Sequence, residues 1–139
     1  MTDYIKKLNA KYTNGTTRFL TDAQGAYSLT PLDIAEQRNG AQLAACGIDA
    51  MGTHVIIDAT AGVGGDAVSF MLGFPKSIVC ALEPDAHRVR MLEHNVLAVR
   101  KSTRVATAKT QCVQAEFADL FGRLVHLLCA CTVLYLDPE

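Results

Sequence analysis

The stretch VIIDATAGVGGDAVSF, residues Val55 to Phe70, decides the fold. His54-Val55-Ile56-Ile57 is a short β-branched run that suits a strand buried on both faces. It ends in Asp58, breaks into a turn holding Gly62, Gly64 and Gly65, and resumes as a helix over Asp66 to Leu72. Glycines at such a turn let the backbone come close to a ligand, and the helix behind them offers free N–H groups.

The same alternation continues downstream. Ser77 to Leu82 reads as a second strand, and Asp85 to Arg100 as a helix. Asp85 is its cap, and Val89, Leu92, Val96 and Val99 share one face. Gln111 to Ala115 is a third, weaker strand, Ala118 to Leu128 a further helix, and Cys131 to Leu136 a fourth strand. Strands and helices alternating at this spacing imply an α/β protein with a parallel, doubly wound sheet. Upstream, the first thirty or so residues are polar and turn-rich, with Thr13 to Thr17 and Asp22 to Gly25 as loop signals. Thr30-Pro31 then reads as a helix start, Thr30 the cap and Pro31 the first helical residue. Leu32, Ile34, Ala35, Leu43 and Ala44 give that helix its apolar character, and Gly47 stops it. Residues 1–50 thus form an N-terminal helical extension, and residues 51–139 a Rossmann-like half.

The bulk properties narrow the class. The 139 residues support one domain with a single core. Half are hydrophobic and 19% are charged, the balance of a globular chain. A net charge of −1 excludes a wholly basic, non-specific nucleic-acid binder. Local basic patches remain at Lys6, Lys7 and Lys11 and at Arg100, Lys101 and Arg104. The five cysteines, Cys46, Cys80, Cys112, Cys129 and Cys131, lack zinc-site spacing, and Cys129-Ala130-Cys131 is not a redox motif. They read as buried, reduced thiols, with no metal implied. Met1 to Lys7 leads into no signal peptide, and no apolar run reaches membrane-spanning length. The expected setting is intracellular with no membrane partner, nucleus and cytoplasm being indistinguishable.

Three occupants compete for the glycine turn. Gly62-x-Gly64-x-x-Ala67 fits the dinucleotide fingerprint, with Glu83 about twenty residues on to hold ribose hydroxyls. Neighbouring backbone alone is another use of such glycines. Asp58 favours a third: a carboxylate at the strand end repels a pyrophosphate but accepts a hydrogen bond from an ammonium group. S-adenosylmethionine carries an α-amino group and no phosphate. Glu83 would then hold its ribose diol, Glu116 the adenine amino group, and Phe117 the base. Asp137-Pro138 ends the fourth strand at the same rim. Each of these could instead be an ordinary capping or surface residue; their coincidence at successive strand ends speaks for a site.

The order and spacing of these residues resemble those of the trimethylguanosine synthases, the RNA cap guanine-N2 methyltransferases. Family members carry a segment like D-x-x-G-W/F-F/Y-S-V/L-T-P-x-x-I-A-E, and Asp22 to Glu36 here reads DAQGAYSLTPLDIAE. Their motif V-D-x-x-x-G-V-G-G-N/D is similar to Ile57 to Asp66. Glu83-Pro84-Asp85, Asn95 within the following helix, and Ala115-Glu116-Phe117 match further family positions. The likeness spans Lys11 to Pro138. It implies a Rossmann-like class I methyltransferase fold and transfer from S-adenosyl-L-methionine to N2 of a 7-methylguanosine cap, with capped RNA as partner. The implied cofactor residues are Thr30, Asp58, Thr60, Gly62, Gly64, Glu83, Pro84, Glu116 and Phe117. Asp137 and the carbonyl of Pro138 are the implied acceptors for the target amine. Two departures stand out. The family's S/D/N-P-P-W motif reads Asp137-Pro138-Glu139 here, without the stacking tryptophan, and Ala26 replaces a bulky aromatic.

About seven strands make a full fold of that class, and about four are present, so the expectation is a sheet truncated after the fourth. The fourth strand would lie beside the first with its other edge open, although Thr132 to Leu136 reads as fully buried. An open apolar edge invites pairing, which leaves a homo- or hetero-oligomer as one way to cover it. Beside the cap methyltransferase stand two alternatives: an N-methyltransferase for another nucleic-acid base, and a truncated or inactive methyltransferase-like domain with an assembly role.

Overall fold

A computed structural model of the chain describes residues 6, 9–10, 18–30, 32–102 and 109–137. Lys7, Lys11, the loop from Thr13 to Thr17, Pro31, Arg104, Pro138 and Glu139 lie outside the described residues. The elements run α1 (Ala23–Ser28), α2 (Leu32–Ala45), β1 (Val55–Asp58), α3 (Gly65–Gly73), β2 (Ile78–Glu83) and α4 (Ala86–Ser102). They continue with β3 (Lys109–Gln114), a 3-10 turn (Phe117–Phe121), α5 (Val125–Ala130) and β4 (Val133–Tyr135).

The four strands form one parallel sheet in the order β3-β2-β1-β4. Val55 to Asp58 pair with Ile78 to Ala81 on one side, and Ile56 to Asp58 with Val133 to Tyr135 on the other. This open α/β sheet is compatible with a Rossmann-like fold. Side chains alternate across it. Ile56, Val79 and Ala81 meet Phe70, Met71, Leu92, Val96 and Val99 from α3 and α4, together with Phe19 and Leu43. Ile57, Cys80 and Leu82 face the other way, onto Leu120 and the flanks of α5. Helices therefore cover both faces, which is why β1 and β2 read as continuous apolar runs. Phe70 is fully buried and packs edge-on against Tyr135 at 5.1 Å, so α3 is pinned to β4 across β1.

The element ends follow from local chemistry. Cys46 and Gly47 close α2 in a paired motif: Gly47 N–H donates to the Ala44 carbonyl at 3.0 Å and Ile48 N–H to Leu43 at 2.9 Å. Gly47 holds φ +75°, a conformation glycine adopts freely. Asp85 caps α4 by accepting from His87 and Arg88 N–H at 2.8 and 2.9 Å, and those bonds hold its carboxyl below the usual range.

Four expectations change. Asp22 to Gly25 is not a loop; Asp22 caps α1, accepting from Gly25 N–H at 2.6 Å, because the residue that ends a loop also starts a helix. The helix expected over Ala118 to Leu128 is broken at Gly122, after a 3-10 turn closed by reciprocal bonds between Glu116 and Asp119. Val133 to Tyr135 are only half-buried and Thr132 and Leu136 are exposed, since β4 is an edge strand among the described residues. Cys46 and Cys129 are exposed rather than buried, and all five thiols are free.

Candidate functional site

The chain runs outward from β1 through β2 to β3 and then returns to the opposite side of β1 for β4. Strand order reverses between β1 and β4, and a crevice at the carboxyl ends of such neighbours is where ligands bind in sheets of this kind. Asp58 and Glu83 end β1 and β2, while Glu116 and Asp137 lie just past β3 and β4.

The glycine turn is stitched to both neighbouring strands. Ala59 N–H donates to the Tyr135 carbonyl at 3.0 Å, and Ala61 N–H to the Leu82 carbonyl at 2.9 Å. Gly62 and Gly64 hold φ +54° and +104°, left-handed values that favour glycine. Their surroundings differ. A Cβ on Gly64 would meet Leu92 Cδ1 at 2.7 Å, whereas one on Gly62 would meet nothing within 4 Å. Gly64 thus serves helix packing, and Gly62 opens onto the cleft. Thr30, Thr60, Gly62, Asp66 and Asp137 line that cleft together with Leu29.

Asp58, at the end of β1 just before the turn, is fully buried. Its Oδ1 accepts from Thr60 N–H at 3.2 Å, but its Oδ2 has no hydrogen-bond partner among the described residues. Burial, then the negative charge of Asp66, pushes the carboxyl up to about 8. An orphaned, buried carboxylate oxygen is costly, and a donor or cation at that point removes the penalty.

Glu83 is buried at 6% exposure and accepts from Asp85 N–H through Oε1 at 2.9 Å. Pro84 and Glu116 line a separate hollow with Gln114 and Arg123. Glu116 is exposed and engaged as a helix cap, and Phe117 stacks edge-on against Phe121 at 5.3 Å, both rings exposed. Asp137 donates its N–H to Thr60 Oγ1 at 2.9 Å, which bridges the crevice between β4 and the glycine turn. The structure therefore brings Thr30, Thr60, Gly62 and Asp137 to one cleft, with Asp58 and Gly64 buried in the same strand–turn segment. Glu83, Pro84, Glu116 and Phe117 follow along the strand ends towards β3.

A cluster that the sequence does not announce sits beside Asp137. Arg38 on α2 pairs with Asp66 at 2.8 Å and with Asp137 at 3.5 Å, and bonds the Tyr135 hydroxyl. Burial alone would lower its proton affinity, but Asp66, Tyr135 and Asp137 outweigh that and raise it. Asn39 donates to Asp66 Oδ1 at 3.0 Å and to Ser69 Oγ at 2.7 Å. Burial and Asp66 push the Tyr135 phenol up. Asn39 had a visible signal: it sits at i+4 between Ala35 and Leu43 on the buried stripe of α2. Arg38 has none.

Asn95 is the other buried polar hub. Its Oδ1 accepts from Leu20 N–H at 2.7 Å, and its Nδ2 donates to the carbonyls of Leu20 and Val63, both at 2.8 Å. Arg88 and Asp22 add an ion pair at 2.9 Å between α4 and the start of α1.

Among the described residues no helix is long and apolar enough to cross a membrane, and no acid, histidine and cysteine group could hold a metal ion. In comparison with known proteins, the chain matches no family model and no curated protein.

Proposed function

We propose that the chain is an S-adenosylmethionine-dependent methyltransferase acting on an exocyclic amine of a nucleic-acid base, with guanine N2 of a 7-methylguanosine RNA cap as the first candidate. The observation that carries this is Asp58: a buried carboxyl group with an unpartnered Oδ2 beside the glycine turn. That oxygen fits an ammonium group. It does not fit a pyrophosphate, which would face Asp58, Asp66 and Asp137 together. The open space at Gly62 lets a ligand approach the backbone closely.

On this assignment Asp58 and the Gly62–Gly64 turn hold the amino acid end of the cofactor, with Thr30 and Thr60 on the cleft wall. Glu83 and Pro84 flank the ribose, and Glu116 and Phe117 the adenine. The cofactor supplies an electrophilic methyl on a sulfonium sulfur. An aromatic amine is a weak nucleophile, so the protein's task is placement and acceptance of its N–H bonds rather than strong-base chemistry. Asp137, tethered to Thr60, is the candidate acceptor. The resemblance of Asp22 to Glu36 and of Ile57 to Asp66 to the cap guanine-N2 methyltransferases is what favours the cap guanine as the first substrate to test.

Calorimetric titration with S-adenosylhomocysteine tests the cofactor site. Binding by the wild type that is lost in Asp58→Asn and weakened in Glu83→Gln is expected; no binding by the wild type defeats the assignment. A methyl-transfer assay on 7-methylguanosine-capped RNA tests the substrate, and transfer to uncapped RNA alone redirects it to another base.

A further inference from the structure

Arg38 joins three parts of the chain: α2, the first turn of α3 at Asp66, and the segment after β4 at Asp137. Its contacts differ in strength. The Asp66 pair is short and sheltered, with side-chain exposures of 32% and 16%, and Asn39 shares the same oxygen at 3.0 Å. The Asp137 contact is long, and that side chain is 48% exposed. Arg38 is therefore anchored on α3 and reaches to Asp137 from there. Tyr135 lies under the guanidinium, 5.7 Å from its carbon to the ring centroid, and its own ring is fixed on Phe70.

Both contacts to the Asp137 carboxylate fall on Oδ2: Arg38 Nη1 at 3.5 Å and the Tyr135 hydroxyl at 3.4 Å. The backbone N–H of Asp137 is held by Thr60. Oδ1 has no hydrogen-bond partner among the described residues. Resting on the methyl-transfer function above, we propose that Arg38 is a positioning residue that clamps Asp137 by one oxygen and so presents the other to the amine being methylated. The clamp also sets the width of the crevice, because one end of Arg38 is fixed to the helix that begins at the glycine turn. Arg38 does not line the cleft at the glycine turn, so its removal is expected to act on the placement of Asp137 and to leave the cofactor's own contacts in place.

Three measurements on wild type, Arg38→Gln and Arg38→Lys test this. S-adenosylhomocysteine affinity by calorimetry is expected to change less than about threefold, since no cofactor contact is removed. Amide hydrogen exchange at Asp137 is expected to speed up about tenfold in Arg38→Gln, because the clamp that protects its bond to Thr60 is gone. Methyl transfer to capped RNA at saturating cofactor is expected to fall between about tenfold and a hundredfold, as a loss of kcat, with partial recovery in Arg38→Lys. Unchanged exchange at Asp137 overturns the clamp, whether or not transfer is detected. Loss of S-adenosylhomocysteine binding in parallel with transfer overturns it too, by making Arg38 merely structural. A wild type that binds S-adenosylhomocysteine but leaves capped RNA unmethylated removes the cap assignment, and the exchange measurement still decides the clamp.

Discussion

Replacing Asp58 by asparagine sets stability against ligand binding. In the unfolded chain this carboxyl gives up its proton near its ordinary value of 3.8; in the folded chain it does so at about 8. Between those values the folded state holds one proton more, so raising the pH favours unfolding. The stability is whole below about 3.8 and is lost as pH climbs through about 8. Over the span from about pH 5 to about pH 8 the wild type forfeits about 4 kcal/mol, at about 1.4 kcal/mol per unit. Asparagine does not titrate and forfeits none of it. For a domain of this size about 1 kcal/mol moves Tm by about 3 °C, so the advantage of Asp58→Asn should widen by about 10 °C across that span. Thermal unfolding of both proteins at several pH values between those limits is the assay. Its informative quantity is the change in the difference, because any fixed effect of the amide cancels. A Tm difference that stays constant with pH would refute the burial argument. On the proposed function the same variant should also bind no S-adenosylhomocysteine.

The affinity of the wild type for S-adenosylhomocysteine should rise up to about tenfold per pH unit below about 8, since the ligand's ammonium group takes the ionised form of Asp58; a flat profile by calorimetry speaks against that pairing. Gly64→Ala should cost about 2–3 kcal/mol in urea unfolding, because the new methyl group meets Leu92 and φ is +104°. Gly62→Ala should cost about 1 kcal/mol, since only its φ of +54° opposes the change. The reverse order would contradict the roles given to these glycines. Asn95→Ala should lose about 2–4 kcal/mol, with three hydrogen bonds broken, the buried Val63 carbonyl orphaned and the backbone of Leu20 left without its side-chain partner; near-wild-type unfolding in urea would show that water replaces them.

The sheet was legible where burial on both faces leaves an unbroken apolar run, as in Ile56-Ile57 and Val79 to Leu82. Strand β3 was fainter because Lys109, Gln111 and Gln114 sit exposed on an edge. The helix after β3 was misjudged because Gly122 interrupts a run whose composition is helical on both sides. Asp58 and the glycine turn could be placed together at the end of β1 because strand ends place residues predictably. That Asp58 would carry an unpartnered oxygen could not be read, since it depends on what α3 and β4 bring beside it. Arg38 was invisible for a related reason. Its partners lie 28 and 99 residues further along the chain, and nothing in the neighbourhood of residue 38 records them.

Asn95 has a consequence for how the molecule responds as a whole. One side chain holds both the backbone at Leu20 and the Val63 carbonyl inside the glycine turn. Docking of the segment before α1 and the shape of the glycine turn, the proposed ligand cradle, are thereby parts of one equilibrium. By reciprocity, whatever factor the docked segment contributes to ligand affinity, a bound ligand returns to the docking. Protease sensitivity around Leu20 becomes a gauge of events in the proposed cradle, read through the one side chain that both share.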